Sequence, residues 1–259
     1  MSQIKSIIFD WAGTTVDFGC FAPVNVFIDI FREAGIGATI EEAREPMGML
    51  KRDHIEAMLE MPNIQKQWEE AYGRKHSEAD IDALYQQFET QLMENLATYT
   101  DPLPGVVNTV AQLRNQGYAI GSTTGYTREM METVSQRAKE KGYEPDVIVT
   151  AEDVGDKGRP YPYMIFENMR RLQAQSVSEV VKVGDTTSDM KEAVNSGVTA
   201  VGVIQGSSIV GLSENEWANL SDAEKDQYRK KATQVFRENG ADYVIDTISE
   251  LPELLTNIE

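Results

Sequence analysis

Short apolar runs recur along the chain, and several of them stop abruptly at a carboxylate or a hydroxyl. The first, SIIF at residues 6–9, ends at Asp10 and is typical of a strand buried on both faces of a parallel sheet. Similar runs occupy residues 118–124, 146–150, 180–185, 199–204 and 242–247. Segments with helical spacing separate them, so the pattern predicts right-handed βαβ units and an open parallel sheet with helices on both faces.

This alternation breaks between residue 21 and about residue 99, where the apolar residues have helical spacing and no strand is predicted. TIEE at 39–42 has the form of a capping box, and Ser77 is a candidate N-cap. We therefore predict an α/β fold with a Rossmann-like, three-layer parallel-sheet core. The core comprises residues 1–20 and 100–259, and residues 21–99 form an inserted all-α helical cap domain.

Polar side chains follow three of the predicted strands at one edge of the sheet. Asp10, Thr124 and Asp185 each stand at the carboxyl end of a strand, where open α/β sheets bind their ligands. Asp189 follows four residues after Asp185. Because hard divalent cations take oxygen ligands, the carboxylates predict a Mg²⁺ site, in preference to simple helix capping by Asp185 and Asp189. The helical insertion would lie over the same edge as a lid.

Two other segments favour a phosphate ligand. Thr124 and the backbone N–H groups that follow it in GSTTGY could hold phosphate oxygens. Arg159, in the GRPYP loop, could pair with a phosphate and offset the carboxylates. Each signal is weak alone, because a strand-to-helix turn and a solvated loop arginine explain them equally well.

Composition narrows the possible partners. The chain has 24 basic and 42 acidic residues and a formal net charge of -18, which argues against nucleic acid or an anionic membrane as the main partner. With Cys20 as the single cysteine, no disulfide within the chain and no zinc cluster are expected. The absence of a membrane-length apolar stretch or a secretory signal pattern predicts a soluble, cytoplasmic protein.

The four segments IIFDWAGTTVD, GSTTGY, GRPYP and VGDTTSD stand in the order of the four motifs of the haloacid dehalogenase superfamily. DWAGTTVDFGCFAP, PMGMLKRDHI and GSTTGYTREMM closely resemble the phosphonatase family within that superfamily, and the similarity runs along nearly the whole chain. The resemblance implies a Mg²⁺-dependent homodimer that hydrolyses phosphonoacetaldehyde to acetaldehyde and phosphate.

The resemblance also implies roles for individual residues. Asp10 would be the nucleophile and Lys51 the Schiff-base lysine, and His54 would lie near the substrate. Since His54 follows Lys51 by three residues, both would share one helix face, where His54 could shuttle protons. Mg²⁺ would be bound by Asp10, the Ala12 backbone carbonyl and Asp185, with Asp189 supporting its water shell. The residues expected around the substrate or its phosphoryl group are Met47, Thr124, Gly125, Tyr126, Arg159 and Asp189. Cys20 is expected to act in the hinge or in packing.

At Ala12 this sequence differs from the ester phosphatases of the superfamily, which normally have an aspartate at this position to protonate a leaving alkoxide. A carbon leaving group held as an enamine needs no such acid, and Lys51 could supply the imine from which that enamine forms. Lys51 must then be neutral near neutral pH, which desolvation would favour.

Two alternatives stay open. The first is another hydrolase of the superfamily: an ester phosphatase, or a 2-haloacid dehalogenase, which also lacks the second acid but uses no Mg²⁺. The second is a catalytically silent binding member, to which loss of that acid could lead. The remaining motif residues and Lys51 argue against a silent member.

Overall fold

The computed structural model describes residues 4–258, and its centre is a parallel sheet of six strands. The strands are β1 (Ser6–Phe9), β2 (Ala119–Thr123), β3 (Val147–Val149), β4 (Val180–Gly184), β5 (Thr199–Val203) and β6 (Tyr243–Ile245). Their order across the sheet is β3–β2–β1–β4–β5–β6, and every neighbouring pair is parallel. Each of the six predicted apolar runs forms one of these strands.

Twelve α-helices lie within the described range. They are α1 (Phe21–Glu33), α2 (Ile40–Arg44), α3 (Lys51–Leu59), α4 (Pro62–Tyr72), α5 (Glu78–Asn95), α6 (Val106–Asn115), α7 (Arg128–Glu140), α8 (Tyr163–Leu172), α9 (Thr187–Ser196), α10 (Glu214–Asn219), α11 (Asp222–Glu238) and α12 (Leu251–Asn257). None of these helices has both the length and the apolar character that crossing a bilayer requires.

Helices cover both faces of the sheet, which confirms the predicted three-layer core. Ile7 and Phe9 of β1 pack in one apolar cluster with α6, α7 and α12, whereas Ile8 packs in a second cluster with α8, α9 and α11. All four residues of β1 are buried. A strand covered on both faces has no solvent side, which explains why its sequence is a continuous apolar run instead of an alternating one.

Residues 21–98 contain helices and no strand, as predicted. The helix α1 packs against α2 and α5, and α3 packs against α4 and α5. The predicted capping box is present, because the Thr39 hydroxyl accepts from the Glu42 N–H while the Glu42 carboxylate accepts from the Thr39 N–H. Ser77 is the N-cap of α5. The exact division into domains at residues 20/21 and 99/100 stays a prediction.

The strand order explains why the polar strand ends converge. From β1 the chain runs outward through β2 and β3, then crosses to β4 on the other side of β1. Such a reversal opens a crevice beyond the carboxyl ends of the two strands where it occurs. Asp10 directly follows β1 and Asp185 directly follows β4, so both carboxylates stand at this crevice.

Asp17 fixes the point at which the chain enters the helical insertion. Its two carboxylate oxygens accept hydrogen bonds from the first turn of α1, at 3.0 Å from the Phe21 nitrogen and 2.9 Å from the Ala22 nitrogen. The side chain is buried, and burial raises the pKa of Asp17 to about 7, although the two N–H donors oppose the shift. Two N–H groups at the start of α1 therefore donate to an acid whose pKa is raised to about 7.

This pKa predicts a pH-dependent stability. The folded-state pKa of about 7 lies above the ordinary value of 3.8. Asp17 therefore contributes its full stabilisation below pH 3.8, and this contribution is lost as the pH rises through about 7. The free energy of unfolding of the wild type should fall relative to that of Asp17→Asn across this window, by at most about 1.4 kcal/mol per pH unit. Denaturant titrations at several pH values measure the difference.

Asp29→Asn, which alters an acid on the surface of the same helix, is the matched control and should run parallel to the wild type. Parallel curves for the wild type and Asp17→Asn would contradict the assignment.

Candidate active site

Asp10 is held at the end of β1 by its own backbone. Its N–H donates to the Val183 carbonyl of β4 at 2.9 Å, and its carbonyl accepts from the Thr15 hydroxyl at 3.0 Å. The chain then turns tightly over the Trp11 carbonyl, which accepts N–H hydrogen bonds from the residues that close the turn. Asp10 as a residue is only 5% exposed, so its carboxylate reaches the crevice from a largely dry position.

Gly13 is required in this turn for two reasons. Its φ of +87° lies in the left-handed region, and a Cβ at this position would lie 2.3 Å from the Asp185 Oδ2 atom. The glycine of the DWAGTT segment therefore allows the first strand end to approach the second carboxylate. Ala12, just before it, lines the same cavity as Asp10.

Three buried carboxylates converge in the crevice. One oxygen each from Asp10, Asp185 and Asp189 lies within 4.8 Å of the others. Asp185 accepts hydrogen bonds from the Thr14 hydroxyl at 3.0 Å and the Ser208 N–H at 2.8 Å. Burial raises the pKa of Asp185 well above its usual range, and the charges of Asp10 and Asp189 raise it further. The oxygen donors of these three carboxylates suit a hard divalent metal ion.

Both oxygens of Asp189 are already engaged. Oδ2 accepts from the N–H and hydroxyl of Thr186, the N-cap of α9, at 3.1 and 2.6 Å. Oδ1 lies 3.1 Å from Nη1 of Arg159 and 3.0 Å from Nζ of Lys182. Burial raises the pKa of Asp189, but the two cations outweigh it and hold that pKa below its usual range. Asp189 thus links the cluster of three carboxylates to the two cations Arg159 and Lys182.

Arg159 is buried among carboxylates and offsets their charge, whereas its pairing with a phosphate stays a prediction. Nη2 donates to Asp10 Oδ1 at 2.5 Å and to the Thr123 carbonyl at 2.9 Å, while Nε donates to Glu192 Oε2 at 3.0 Å. Burial alone would lower the pKa of Arg159, but the surrounding carboxylates raise it above its usual value. The side chain is a permanent cation in contact with Asp10.

Residues of the helical insertion and of the sheet line one small cavity. Met47, Gly48 and Lys51 come from the insertion. The remaining lining residues are Asp10, Ala12, Cys20, Thr124, Gly125, Tyr126, Arg159 and Thr186. The cavity has about 20 Å³ of room for solvent centres, enough for one or two waters. A larger groove of about 450 Å³ shares Lys51, Gly125 and Tyr126 with it and leads outward.

Lys51 is the first residue of α3 and is only 6% exposed. Its Nζ atom lies 5.2 Å from the Tyr126 ring centroid and 5.9 Å from that of Phe27, and within the described residues it has no hydrogen-bond or ion-pair partner. Burial lowers the pKa of Lys51 below the ordinary 10.5, although nearby acids oppose the shift. The positive end of the α3 dipole also disfavours a cation here. These conditions favour a neutral amine.

His54 shares α3 with Lys51 but does not line the cavity. The imidazole is fully buried and stacks on Phe27 at a centroid distance of 3.8 Å, with Nε2 2.9 Å from the Ala43 carbonyl. Burial, followed by the charge of Lys51, holds its pKa well below the usual range. His54 is thus a neutral donor to Ala43, and its proton-shuttling role stays a prediction.

The loop after β2 differs from the sequence-based picture in one respect. The helix α7 begins only at Arg128, with Thr127 as its N-cap. The backbone N–H groups directly after Thr124 therefore belong to a turn that precedes the helix, and the Thr124 hydroxyl already accepts from the Tyr126 N–H at 3.0 Å. Both Thr124 and Gly125 still line the cavity beside Asp10.

Sequence reasoning missed two charged residues of this region, Lys182 and Glu192. Both are fully buried, and they meet at Thr123 behind Arg159. A signal was available for the lysine. Lys182 interrupts an apolar strand, and a charge in a strand buried on both faces requires a buried counter-charge.

The fold and the carboxylate site define a class of enzyme. The model of the haloacid dehalogenase-like hydrolase family matches residues 7–203, a range that contains all four predicted motifs. A structure from Oleispira antarctica, described as a phosphonoacetaldehyde hydrolase-like protein, matches with a TM-score of 0.96 and 38% identity, covering 99% of this chain and 92% of that one.

Curated relatives narrow this class. A phosphonoacetaldehyde hydrolase from Lysinibacillus sphaericus is 57% identical over 99% of this chain and 95% of its own length. One from Bacillus cytotoxicus is 49% identical over 99% of this chain and 97% of its own. The chain belongs to the phosphonoacetaldehyde hydrolase family of haloacid dehalogenase-like hydrolases.

The cluster of Asp10, Asp185 and Asp189 predicts that a divalent cation stabilises the fold. At 100 times its dissociation constant, a metal ion that binds only the folded state adds about 2.7 kcal/mol to stability, or roughly 5–10 °C in Tm. The wild type should show this rise on titration with MgCl₂, whereas Asp185→Asn should not. Binding should weaken as pH falls, because the raised pKa of Asp185 makes its protonated form compete with the metal.

Differential scanning fluorimetry measures these shifts, with the exposed α11 acid in Asp226→Asn as the control. An equal rise in wild type and Asp185→Asn would show that the cation binds elsewhere.

Proposed function

We propose that this protein hydrolyses the P–C bond of phosphonoacetaldehyde, with Mg²⁺ as its metal ion, and releases acetaldehyde and phosphate. The observation that carries the proposal is a buried amine, Lys51, that lines the same cavity as the buried carboxylate Asp10. The names of the curated relatives support the choice of substrate.

The reaction needs an amine because carbon is a poor leaving group. Attack on phosphorus expels a carbanion unless its electron pair can be delocalised. The Lys51 amine condenses with the aldehyde and releases water, which gives an imine one carbon away from the P–C bond. When this imine is protonated, bond cleavage places the electron pair in a neutral enamine. Tautomerisation and hydrolysis of the enamine then free acetaldehyde and the amine.

The environment of Lys51 suits this step. An amine attacks an aldehyde only when it is unprotonated, and burial together with the start of α3 favours that form. The Tyr126 and Phe27 rings beside Nζ offer an apolar surface that can still stabilise a protonated imine through their faces. The same pocket therefore tolerates both the neutral amine and the cationic intermediate.

Asp10 is the proposed nucleophile, and its attack on phosphorus would give an acyl phosphate. Arg159 already donates to Asp10, so its guanidinium is placed to contact the phosphoryl oxygens as they arrive. Thr124 and Gly125 line the cavity on the β2 side and would bind the remaining oxygens. Met47 and Tyr126 would enclose the aldehyde end of the substrate.

Asp10, the Ala12 carbonyl and Asp185 would hold the Mg²⁺, and Asp189 would support its water shell. When bound, the ion would supply positive charge that offsets the phosphoryl oxygens and the buried carboxylates. Charge balance supports a divalent ion, because four buried carboxylates face only two cations in this region.

The missing acid at position 12 agrees with this chemistry. An enamine leaving group takes up no proton at oxygen. The cleavage step therefore requires no acid at position 12, where this chain has the methyl group of Ala12. Hydrolysis of the phosphorylated Asp10 still needs a base for water. The freed Lys51 amine is the better candidate than His54, because Lys51 lines the cavity and the imidazole does not.

We also retain two predictions about the whole enzyme, a homodimeric state and a cytoplasmic location. The helical insertion contributes Met47, Gly48 and Lys51 to the cavity, so we propose that its movement accompanies substrate entry. The adjoining groove, which reaches Lys51 and Tyr126, is the proposed route of entry.

The direct test is an assay of purified protein on three substrates with and without Mg²⁺. Phosphonoacetaldehyde should be hydrolysed only with Mg²⁺, whereas a sugar phosphate and a 2-haloacid should be turned over slowly or not at all. Lys51→Ala should lose about 10⁴-fold or more in kcat because no imine can form. Coupled detection of acetaldehyde and phosphate measures both products.

Lys66→Ala, an exposed lysine of α4, is the control and should retain wild-type kcat. Unimpaired turnover in Lys51→Ala, or a preference for the ester or the haloacid, would refute the proposed function.

A further inference from the structure

Two charged side chains behind the proposed active site have no role in the mechanism: Lys182 in β4 and Glu192 in α9. Both are fully buried, which is costly for a charge unless it is closely paired. Neither is among the residues that line the cavity of Asp10 and Lys51. Any influence on the reaction must therefore pass through the residues that they contact.

Glu192 anchors the arginine that touches the nucleophile. Its Oε2 atom accepts from Arg159 Nε at 3.0 Å and from the Thr123 hydroxyl at 3.0 Å. The Thr123 hydroxyl and carbonyl also each accept from Arg159 Nη2 at 2.9 Å. The inner edge of the guanidinium is thus tied to two elements of the core, β2 and α9.

The planar shape of the guanidinium makes this anchoring directional. Each of its three nitrogens meets a different carboxylate: Nε meets Glu192, Nη1 meets Asp189 at 3.1 Å, and Nη2 meets Asp10 at 2.5 Å. Because the group is rigid, fixing two edges fixes the direction of the third. Glu192 and Asp189 have no covalent role in the proposed reaction, so these two contacts can persist when Asp10 changes.

Lys182 makes it possible to bury the two anchoring carboxylates together. Its Nζ atom lies 3.0 Å from Asp189 Oδ1 and 3.4 Å from Glu192 Oε2, and donates to the Thr123 hydroxyl at 2.8 Å. Without this cation, Arg159 alone would neutralise both anchors as well as Asp10. Removal of one member of a buried ion pair leaves a charge uncompensated and is strongly destabilising.

We propose that Lys182 and Glu192 are positioning residues that hold the Arg159 guanidinium against Asp10 while the phosphoryl group moves onto that carboxylate. The inference rests on the proposed function for the phosphoryl step. The placement of Arg159 can also be tested without turnover, through the affinity for inorganic phosphate.

The test compares Glu192→Ala and Lys182→Met with the wild type. A shift of Arg159 should lower kcat for phosphonoacetaldehyde about 100-fold and phosphate affinity about 10-fold. Arg159 keeps its charge in these variants and takes no part in the bond changes of imine formation, so borohydride trapping on Lys51 at saturating substrate should stay within about twofold of the wild-type level. Isothermal titration calorimetry with inorganic phosphate, steady-state kinetics and peptide mapping supply the three readouts.

Val180→Ala is the matched control, because Val180 is fully buried in the same strand as Lys182 but packs in the apolar cluster. It should lower Tm while kcat stays within about twofold of wild type. Glu192→Gln retains an oxygen for Arg159 Nε and should recover most of the phosphate affinity lost in the alanine variant. It also keeps the test valid if Glu192→Ala does not fold.

The double variant Lys182→Met with Glu192→Gln removes both charges of the pair. Its loss of kcat should be smaller than the product of the two single losses, because neither partner is left unpaired. Wild-type kcat and phosphate affinity in folded single variants would overturn the proposal, and so would a loss of Lys51 trapping that parallels the loss of kcat. If the wild type does not hydrolyse the aldehyde, the proposed function fails while phosphate affinity still tests the placement of Arg159.

Discussion

The burial of four carboxylates, two at the ends of β1 and β4 and two in the adjoining helix α9, is the constraint on which the rest of the site depends. Asp10, Asp185, Asp189 and Glu192 are nearly or fully inaccessible to water, and each needs a compensating charge or donor. Arg159 and Lys182 supply part of that compensation, and helix and loop N–H groups supply more. Burial, together with the charges of Asp10 and Asp189, still raises the pKa of Asp185, and this cluster of oxygen donors suits a divalent metal ion.

The same surroundings control the other reactive group. Within a chain of net charge -18, an isolated lysine would be expected to hold its proton more tightly. The pKa of Lys51 is nevertheless lowered, because the helical insertion buries the side chain against aromatic rings at the start of α3 and the Arg159 cation lies nearby. An anionic nucleophile and a neutral amine can therefore share one cavity, and a P–C bond hydrolase of the proposed kind requires that combination.

Much of this was predictable from sequence because it depends on local patterns. Strands buried on both faces give continuous apolar runs, and parallel strands place their polar ends, such as Asp10 and Asp185, at one edge. Lys51 could be singled out only through the family resemblance, since a lone lysine is normally solvated. The pairing of Lys182 with Glu192 depends on how α9 packs against β4 and β5, and the strand order depends on long-range contacts, so neither follows from local sequence.

Trapping the covalent intermediate on Lys51 is the most direct test of imine formation. Wild-type protein is incubated with phosphonoacetaldehyde and sodium borohydride near neutral pH, and the modified peptide is identified by mass spectrometry. We expect a reduced adduct confined to Lys51 and inactivation that follows its formation. Full turnover without an adduct, or an adduct on another lysine with Lys51 unmodified, would contradict it.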